Sequence, residues 1–197
     1  MAKKITKPAC GFTLIEVLIT LTLLATLLSI AIGDISLFNA TKLVKSRDDF
    51  LFAISLTRNL AISRNRPVSL CKSGNITKCE SIGGFEQGWI IFEDLDKDGK
   101  YDNGERKLKV VNADMQQITI RGNNNFKNRI TYLPSGDSTA FGRFVLCDKK
   151  RLKTSEAIFV NASGKPRTAP DNNKNTIPED NNNKDIKSCL TDTTILD

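Results

Sequence analysis

The sequence predicts an α+β protein in which a long N-terminal helix packs on a mostly antiparallel β-sheet. Two observations support this prediction. Apolar residues recur at helical spacing through the first third of the chain, and seven short segments rich in Val, Ile and Phe follow, separated by Gly, Asn, Asp or Pro. The 197 residues suffice for one domain of ordinary size with an attached element.

The first element is a long apolar helix over residues 12–32. This segment reads FTLIEVLITLTLLATLLSIAI, and Glu16 is its only charge. At about 1.5 Å per residue the helix is roughly 30 Å long, which matches the hydrocarbon core of a bilayer and predicts a membrane span. Three lysines in the preceding leader favour export of the C-terminal part. A cleaved secretory signal or a lipoprotein acylated at Cys10 fits less well, because the apolar run is too long and follows the cysteine.

Residues 1–16 carry a specific resemblance. The basic leader, Gly11 and the segment FTLIE that begins at Phe12 resemble the class III signal of type IV pilins and type II secretion pseudopilins. This resemblance implies that a prepilin peptidase cuts after Gly11 and methylates the amino group of Phe12. It implies a single-pass inner-membrane protein with its C-terminal domain in the periplasm, assembled into a pilus or pseudopilus.

The same resemblance assigns Glu16 to assembly. It implies that this carboxylate meets the N-terminal amine of a neighbouring subunit. The assignment agrees with physical chemistry, because opposite charges in a low-dielectric bundle offset each other's desolvation cost. A buried carboxylate without a partner costs several kcal/mol, so Glu16 would fix the register between neighbouring helices.

The helical pattern continues as an amphipathic segment over residues 33–66. Its periodic positions share three- and four-residue spacing: Leu43, Arg47, Phe50, Ile54, Thr57 and Ala61. Pro67 ends the pattern, which predicts a helix from about Phe12 to about Asn65. A helix of this length agrees with the long spine helix that the resemblance to pilins implies.

A periplasmic β domain is predicted over residues 67–170. The expected strands are 67–72, 88–93, 107–112, 118–122, 129–133, 142–148 and 157–161. We expect them to form one sheet against the C-terminal half of the helix. The Asn-rich tail comprises residues 171–197, and its segment 171–185 is too polar to pack without a disulfide bridge that tethers it.

Two segments narrow the resemblance. RNRPVSLC from Arg64 and GFEQGWIIF from Gly84 resemble the GspH/FimT family of minor pilins and pseudopilins, and the match extends from the leader to about Arg167. The residues around Trp89 are closer to the FimT and FimU pilus proteins. The resemblance implies a non-enzymatic subunit whose partners are other major and minor pilins or pseudopilins. It leaves two roles open: a type IV minor pilin, with or without DNA binding for natural transformation, or a GspH-like minor pseudopilin of a type II secretion system.

The composition agrees with a role outside catalysis. The chain contains no histidine, which excludes Ser-His-Asp and Cys-His nucleophiles and histidine zinc sites. It also has no nucleophile elbow and no phosphate-binding glycine loop. The 29 Lys and Arg against 22 Asp and Glu give a net charge of +7, which permits binding to nucleic acid without requiring it.

The cysteines suit an exported domain. Cys10 would leave with the leader, and the remaining four, Cys71, Cys79, Cys147 and Cys189, form an even set in an oxidising compartment. Four cysteines allow three pairings. We favour Cys71 with Cys79, which closes a short loop, and Cys147 with Cys189, which would tether the tail. Four buried free thiols are the alternative.

An acidic loop at residues 94–105 matches the pattern D-x-D-x-D-G-x5-E of a twelve-residue calcium loop. Its candidate oxygen ligands are Asp94, Asp96, Asp98, Asp102 and Glu105. Strands are predicted on both sides, so the context is not an EF-hand. The pattern predicts a structural Ca²⁺ ion, and a tight turn that needs no ion is the alternative.

Two basic runs make double-stranded DNA a candidate partner. DNA-binding FimT proteins carry a G-R-x-R motif near the C-terminal end of the sheet, and Gly164-Lys165-Pro166-Arg167 is the matching stretch here. Lys165 replaces the first arginine and contacts phosphate as a point charge without a bidentate fork. The second run comprises Lys149, Lys150, Arg151 and Lys153, expected at a turn between strands, and its first three residues are the candidate contacts. Binding through these residues would be salt-sensitive and independent of base sequence.

Overall fold

The structure, a computed structural model, describes residues 12–32, 35–149, 151–180 and 182–186. The chain divides into two compact units, Met1–Thr41 and Lys42–Asp197. The described residues include two long helices, α1 (Leu14–Ile32) and α2 (Ile35–Arg64). Residues 33 and 34, where the sequence predicts an unbroken helix, lie outside the described residues.

The first unit contains α1, whose apolar side chains are exposed along its length, from Leu14 at 80% to Leu28 at 61%. The hydroxyls of Thr20, Thr22 and Thr26 each donate to the carbonyl oxygen three residues earlier at 2.9 Å. The hydroxyl groups of these threonines therefore find their hydrogen-bond partners within the helix. In the parts of the chain that the structure describes, no helix has the length and apolar character needed to cross a membrane.

Within the second unit, α2 presents one buried face and ends at a defined cap. The buried residues are Leu43, Phe50, Ala53, Ile54, Thr57 and Ala61. Arg47, which the periodicity places on the same face, is only partly buried. The helix stops at Arg64 because Asn65 adopts a left-handed conformation with φ 52° and Pro67 follows. This end lies one residue before the predicted one.

Among its described residues the second unit has eight strands in two sheets. The strands are β1 (Val68–Lys72), β2 (Gly88–Glu93), β3 (Lys107–Asn112), β4 (Ile118–Gly122), β5 (Arg129–Tyr132), β6 (Gly142–Asp148), β7 (Arg151–Val160) and β8 (Pro166–Thr168). The first sheet has the order β3-β2-β1-β5 and the second the order β4-β6-β7-β8, with every pair antiparallel. The predicted α+β class is confirmed, whereas the prediction of one sheet is wrong.

Aromatic side chains join α2 to both sheets. The Phe50 ring of α2 lies 5.2 Å from the Trp89 ring of β2 and 5.0 Å from the Phe144 ring of β6, both edge-to-face. Phe85, just before β2, contacts Phe50 and Phe144 at 5.3 and 5.4 Å. Each such pair contributes about 0.5–1.5 kcal/mol beyond the area it buries. One helix residue therefore holds two separate sheets, and strand patterns in the sequence do not reveal this arrangement.

The second sheet is covered on both faces. Even-numbered residues of β6 and β7, such as Phe144 and Ile158, enter the main core, while Val145, Cys147 and Ala157 form a smaller cluster on the other face. Ile186 of the tail joins this smaller cluster and is 4% exposed. The tail therefore packs against the outer face of the sheet.

The described tail residues, 171–180 and 182–186, are ordered by side-chain bonds to backbone amides. The carboxylate of Glu179 is buried and accepts the N–H groups of Asn172 and Asn173 at 2.8 and 3.1 Å. Asp180 accepts two further N–H groups in the same way. Asp, Asn and Glu side chains thus satisfy the backbone of this segment locally, and its predicted dependence on a disulfide tether stays a prediction.

Candidate functional site

The residues predicted for processing and assembly lie at the start of the chain. Gly11 lies outside the described residues, and the Phe12 side chain is 83% exposed. Thr13 caps α1, since its carbonyl oxygen accepts the Glu16 N–H at 3.1 Å. Glu16 therefore lies in the first turn, where the positive end of the helix dipole favours a carboxylate. Its exposed position allows contact with a cation from another chain.

The first basic segment forms the turn between β7 and β8. Asn161 organises it, because its carbonyl oxygen accepts the Gly164 N–H at 2.9 Å and its side-chain oxygen accepts the Lys165 N–H at 3.0 Å. Gly164 has φ 72° and lies against the Gly136 carbonyl and the Tyr132 ring, so a side chain at this position would collide with both. The turn holds Lys165 at the surface.

Two arginines flank one phenylalanine next to this turn. Strand register places Arg143 of β6 opposite Phe159 of β7, and Phe159 opposite Arg167 of β8. The Arg167 guanidinium lies over the Phe159 ring, 5.3 Å from its centroid. Directly opposed residues point to the same side of a sheet, so the three form a cross-strand row.

This arginine row borders a surface groove of about 350 Å³ that also includes Phe141, which is 67% exposed. Within the described residues, the Nε atom of Arg143 is buried without a hydrogen-bond partner. Reasoning from sequence missed Arg143 and Phe141. They lie more than twenty residues before Lys165, and only strand pairing brings them to the motif.

The second basic run lies at the opposite end of β7. Lys149 is in the β6–β7 turn, where its ammonium donates to the Gln116 carbonyl oxygen at 3.2 Å. Lys150 lies outside the described residues, and Arg151 is the first residue of β7. Ten strand residues at about 3.3 Å each separate this run from the Gly164 turn by roughly 30 Å. The structure therefore does not join the two basic runs into one site.

The acidic loop connects β2 to β3 and brings three of its five predicted ligands together. Among the described residues, carboxylate oxygens of Asp94, Asp96 and Asp98 lie within 4.8 Å of one another. Asp98 also forms an ion pair with Lys100 at 2.9 Å. Asp102 and Glu105 are outside this group: the Glu105 carboxylate accepts the N–H groups of Leu95 and Asp102, which closes the base of the loop.

Burial dominates the electrostatics of Asp94. The residue is fully buried, and this desolvation raises the pKa of its carboxyl. The hydroxyl of Ser69 and the nearby Gly99 amide oppose this rise in pKa, while the charges of Asp96 and Asp98 add to it. At the surface, the Lys100 ammonium lowers the pKa of Asp98.

A disulfide joins Cys71 to Cys79, the pairing that the sequence favours, with a Cα–Cα distance of 5.6 Å. The closed loop is also held by Lys72, whose ammonium donates to the carbonyl oxygens of Ser81 and Gly83 at 2.9 Å each. Cys147 is disulfide-bonded as well. The partner favoured for it, Cys189, lies outside the described residues.

Two models of known protein families match this chain, each over a different segment. A family model described as type II transport protein GspH matches residues 47–164, and one described as the prokaryotic N-terminal methylation motif matches residues 6–32. Searching curated proteins finds no match.

Two crystal forms of one solved protein share the fold. The type IV minor pilin FimU of Pseudomonas aeruginosa strain PAO1 aligns in its P21 crystal form with a TM-score of 0.57 at 14% identity, over 76% of this chain and 96% of the FimU chain. The P65 form aligns with a TM-score of 0.53 at 14% identity, over 75% and 99%. EpsH, a minor pseudopilin of the Vibrio cholerae type 2 secretion system, aligns with a TM-score of 0.41 at 11% identity, over 64% and 94%.

Proposed function

The chain belongs to the type II transport protein GspH family of pilin and pseudopilin subunits, and from this we propose that it is a minor pilin that takes part in assembling a type IV pilus. It is a structural subunit and not an enzyme. The observation that carries the proposal is the combination of a GspH domain at residues 47–164 with an N-terminal methylation motif at residues 6–32 in one chain. A FimU-like fold supports the pilus over the secretion system, because FimU is a type IV minor pilin.

In this proposal the N-terminal segment carries both processing and assembly. Prepilin peptidase cuts between Gly11 and Phe12 and methylates the new amino group. Residues 12–32 anchor the protein in the inner membrane, with the second unit in the periplasm, until a filament takes it up. Glu16 lies four residues after Phe12, so its carboxylate is placed to pair with the N-terminal amine of an adjacent subunit.

Deletion and complementation test this proposal. Loss of the gene should abolish or reduce pili in sheared surface fractions, and the wild-type gene should restore them. Glu16→Val should give a protein that is still processed but is poorly incorporated into filaments. Thr26→Val, on the same helix with its hydroxyl bonded to its own backbone, is the matched control. Normal piliation in the deletion strain together with failed export of folded enzymes would instead assign the chain to a type II secretion system.

A second role, double-stranded DNA binding, is supported by the arginine row. We propose that Lys165, Arg167 and Arg143 contact backbone phosphates, because they lie at the β7–β8 turn and around Phe159 on one side of the sheet. The run at Lys149 would be a separate contact roughly 30 Å away. Phosphate contacts of this kind carry no base specificity.

DNA binding is tested with the full-length chain in detergent and a labelled duplex across a salt series. Lys165→Gln/Arg167→Gln should weaken binding and lower the slope of log affinity against log salt by about two contacts' worth, roughly 1.8. Lys174→Gln/Lys184→Gln removes the same charge from the exposed tail and is the control. An equal loss of DNA affinity in both double variants would show that only the net charge of the protein matters. If the protein does not bind DNA even at low salt, the DNA-binding role is excluded and only the assembly role remains.

A further inference from the structure

The acidic loop between β2 and β3 contains an incomplete polar site. Asp94 is the first residue after β2 and is 0% exposed. One of its oxygens, Oδ2, accepts a hydrogen bond from Ser69, whose hydroxyl also contacts that of Thr131 at 2.6 Å. Among the described residues, the other oxygen, Oδ1, has no hydrogen-bond partner. A buried carboxylate oxygen without a donor is costly, so this atom needs an explanation.

The surroundings of Asp94 point to a positive ligand. Carboxylate oxygens of Asp96 and Asp98 lie within 4.8 Å of a carboxylate oxygen of Asp94. Asp94 therefore contributes a buried carboxylate to this cluster, and one of its two oxygens, Oδ2, also bonds to Ser69. Three carboxylates this close repel one another unless a cation lies between them.

We infer that this loop binds Ca²⁺ through Asp94, Asp96 and Asp98. The inference rests on three converging carboxylates, one of which is buried and keeps an oxygen without a hydrogen-bond partner among the described residues, and it does not depend on the proposed assembly role. Hard oxygen ligands on a loop suit Ca²⁺, which accepts irregular geometry, better than Mg²⁺, which requires a near-ideal octahedron. The ion would connect the buried end of β2 to the exposed part of the loop.

Lys100 competes with the ion in the metal-free protein. Its ammonium lies 2.9 Å from Asp98 Oδ2 and therefore neutralises one of the three carboxylates. Ca²⁺ binding must break this ion pair. Since the lysine is exposed, the pair is weak, and its loss would cost the site only a modest factor in affinity.

Glu105 is not one of the inferred Ca²⁺ ligands. Its two carboxylate oxygens already accept the N–H groups of Leu95 and Asp102, at 2.9 and 3.1 Å. It therefore holds the two ends of the loop together. This arrangement differs from the twelve-residue pattern in the sequence, which gives Glu105 the last ligand position.

The direct test measures Ca²⁺ binding to the full-length chain in detergent by calorimetry, and in parallel by Tb³⁺ luminescence. Tyr101 lies within the loop and packs against Phe92, so it is placed to sensitise a lanthanide bound there. We expect a single site with a dissociation constant of about 10⁻⁴–10⁻³ M, as in extracellular calcium modules. No binding at millimolar Ca²⁺ would overturn the inference.

Variants locate the site. Asp96→Asn/Asp98→Asn should weaken Ca²⁺ binding at least about tenfold, and both residues are accessible enough to be changed without unfolding the metal-free protein. Asp114→Asn/Asp137→Asn, exposed elsewhere, should bind like the wild type. Lys100→Gln should tighten binding about two- to fivefold, because the competing ammonium is gone. Unchanged binding in the Asp96/Asp98 variant, or no tightening in Lys100→Gln, would show that the ion does not bind as inferred.

Discussion

Arg47 of α2 and Glu156 of β7 form an ion pair, with Nη1 2.8 Å from Oε2, and each side chain is about four-fifths buried. The same guanidinium also contacts Asp48 at 2.8 Å, but that carboxylate is 57% exposed. One arginine thus has a partly buried partner on the second sheet and an exposed partner beside it on the helix. This geometry allows the two contacts to be compared within one protein.

Glu156→Gln should lower the free energy of unfolding by about 1–2 kcal/mol, because Arg47 loses its partly buried partner and keeps the exposed carboxylate of Asp48. Asp48→Asn should cost less than about 0.5 kcal/mol, as expected for an exposed pair. Urea denaturation followed by Trp89, the single tryptophan, measures both. Equal losses in the two variants would mean that burial does not decide the strength of these contacts.

Gly88→Ala should prevent folding or cost more than about 3 kcal/mol. Gly88 has φ 147°, and an added Cβ would lie 2.5 Å from the Val111 carbonyl oxygen and 2.9 Å from that of Ser73. Gly104 is the control: its φ is 101°, and no atom of the described chain lies within 4 Å of an added Cβ. Gly104→Ala should therefore cost only backbone strain, about 1–3 kcal/mol. Similar soluble yields and urea midpoints for the two variants would contradict the steric explanation.

Cys71→Ser/Cys79→Ser should lower the free energy of unfolding by about 2–3 kcal/mol. The bonded cysteines are eight positions apart, and a loop of this length gives that value in the chain-entropy model. The double variant is preferable to a reducing agent, which would also attack the disulfide at Cys147. An unchanged urea midpoint would show that the hydrogen bonds of the loop, those of Lys72 among them, hold it without the disulfide.

Lys72 should make stability depend on pH above neutrality. Burial, together with the charges of Arg121 and Lys127, lowers the pKa of its ammonium below the usual 10.5. As pH rises from the folded pKa towards 10.5, the unfolded chain holds more protons than the folded one, so the free energy of unfolding of the wild type rises relative to Lys72→Met. Urea midpoints at several alkaline pH values measure this difference.

An exposed lysine in the same loop provides the control for that titration. Lys78→Met removes a positive charge from the Cys71–Cys79 loop without removing a buried ammonium. A plot of its urea midpoint against pH should run parallel to that of the wild type over the same pH range. If the curve of Lys72→Met is parallel as well, the buried ammonium does not titrate as described.

The sequence predicts strand positions well and strand partners poorly. The bounds of β2, β3, β4 and β6 agree with the prediction, because Val, Ile and Phe segments there are bordered by Gly, Asn or Asp. The first half of β7 and all of β8 were missed. The former is polar, and the latter has three residues beginning with Pro166, which is tolerated at a sheet edge.

The division into two sheets depends on contacts far apart in sequence. Phe50 meets Trp89 and Phe144 at once, and a local pattern cannot reveal that one helix residue serves two sheets. The candidate sites divide in the same way. Spacing alone finds Asp94, Asp96 and Asp98 because they are close in the chain. Arg143 joins Arg167 only through strand register, so it was not predicted.

The loop closed by Cys71 and Cys79 has a practical consequence for imaging. Residues 74–78 are exposed, while the ends of the loop are fixed by the disulfide and by Lys72. Surface loops whose ends are fixed tolerate insertions well. A short epitope or a fluorophore-binding peptide placed among these residues would therefore label the protein in living cells. The contact with the first sheet that it could disturb is the pair of hydrogen bonds from Lys107 of β3 to the Ile76 and Thr77 carbonyl oxygens.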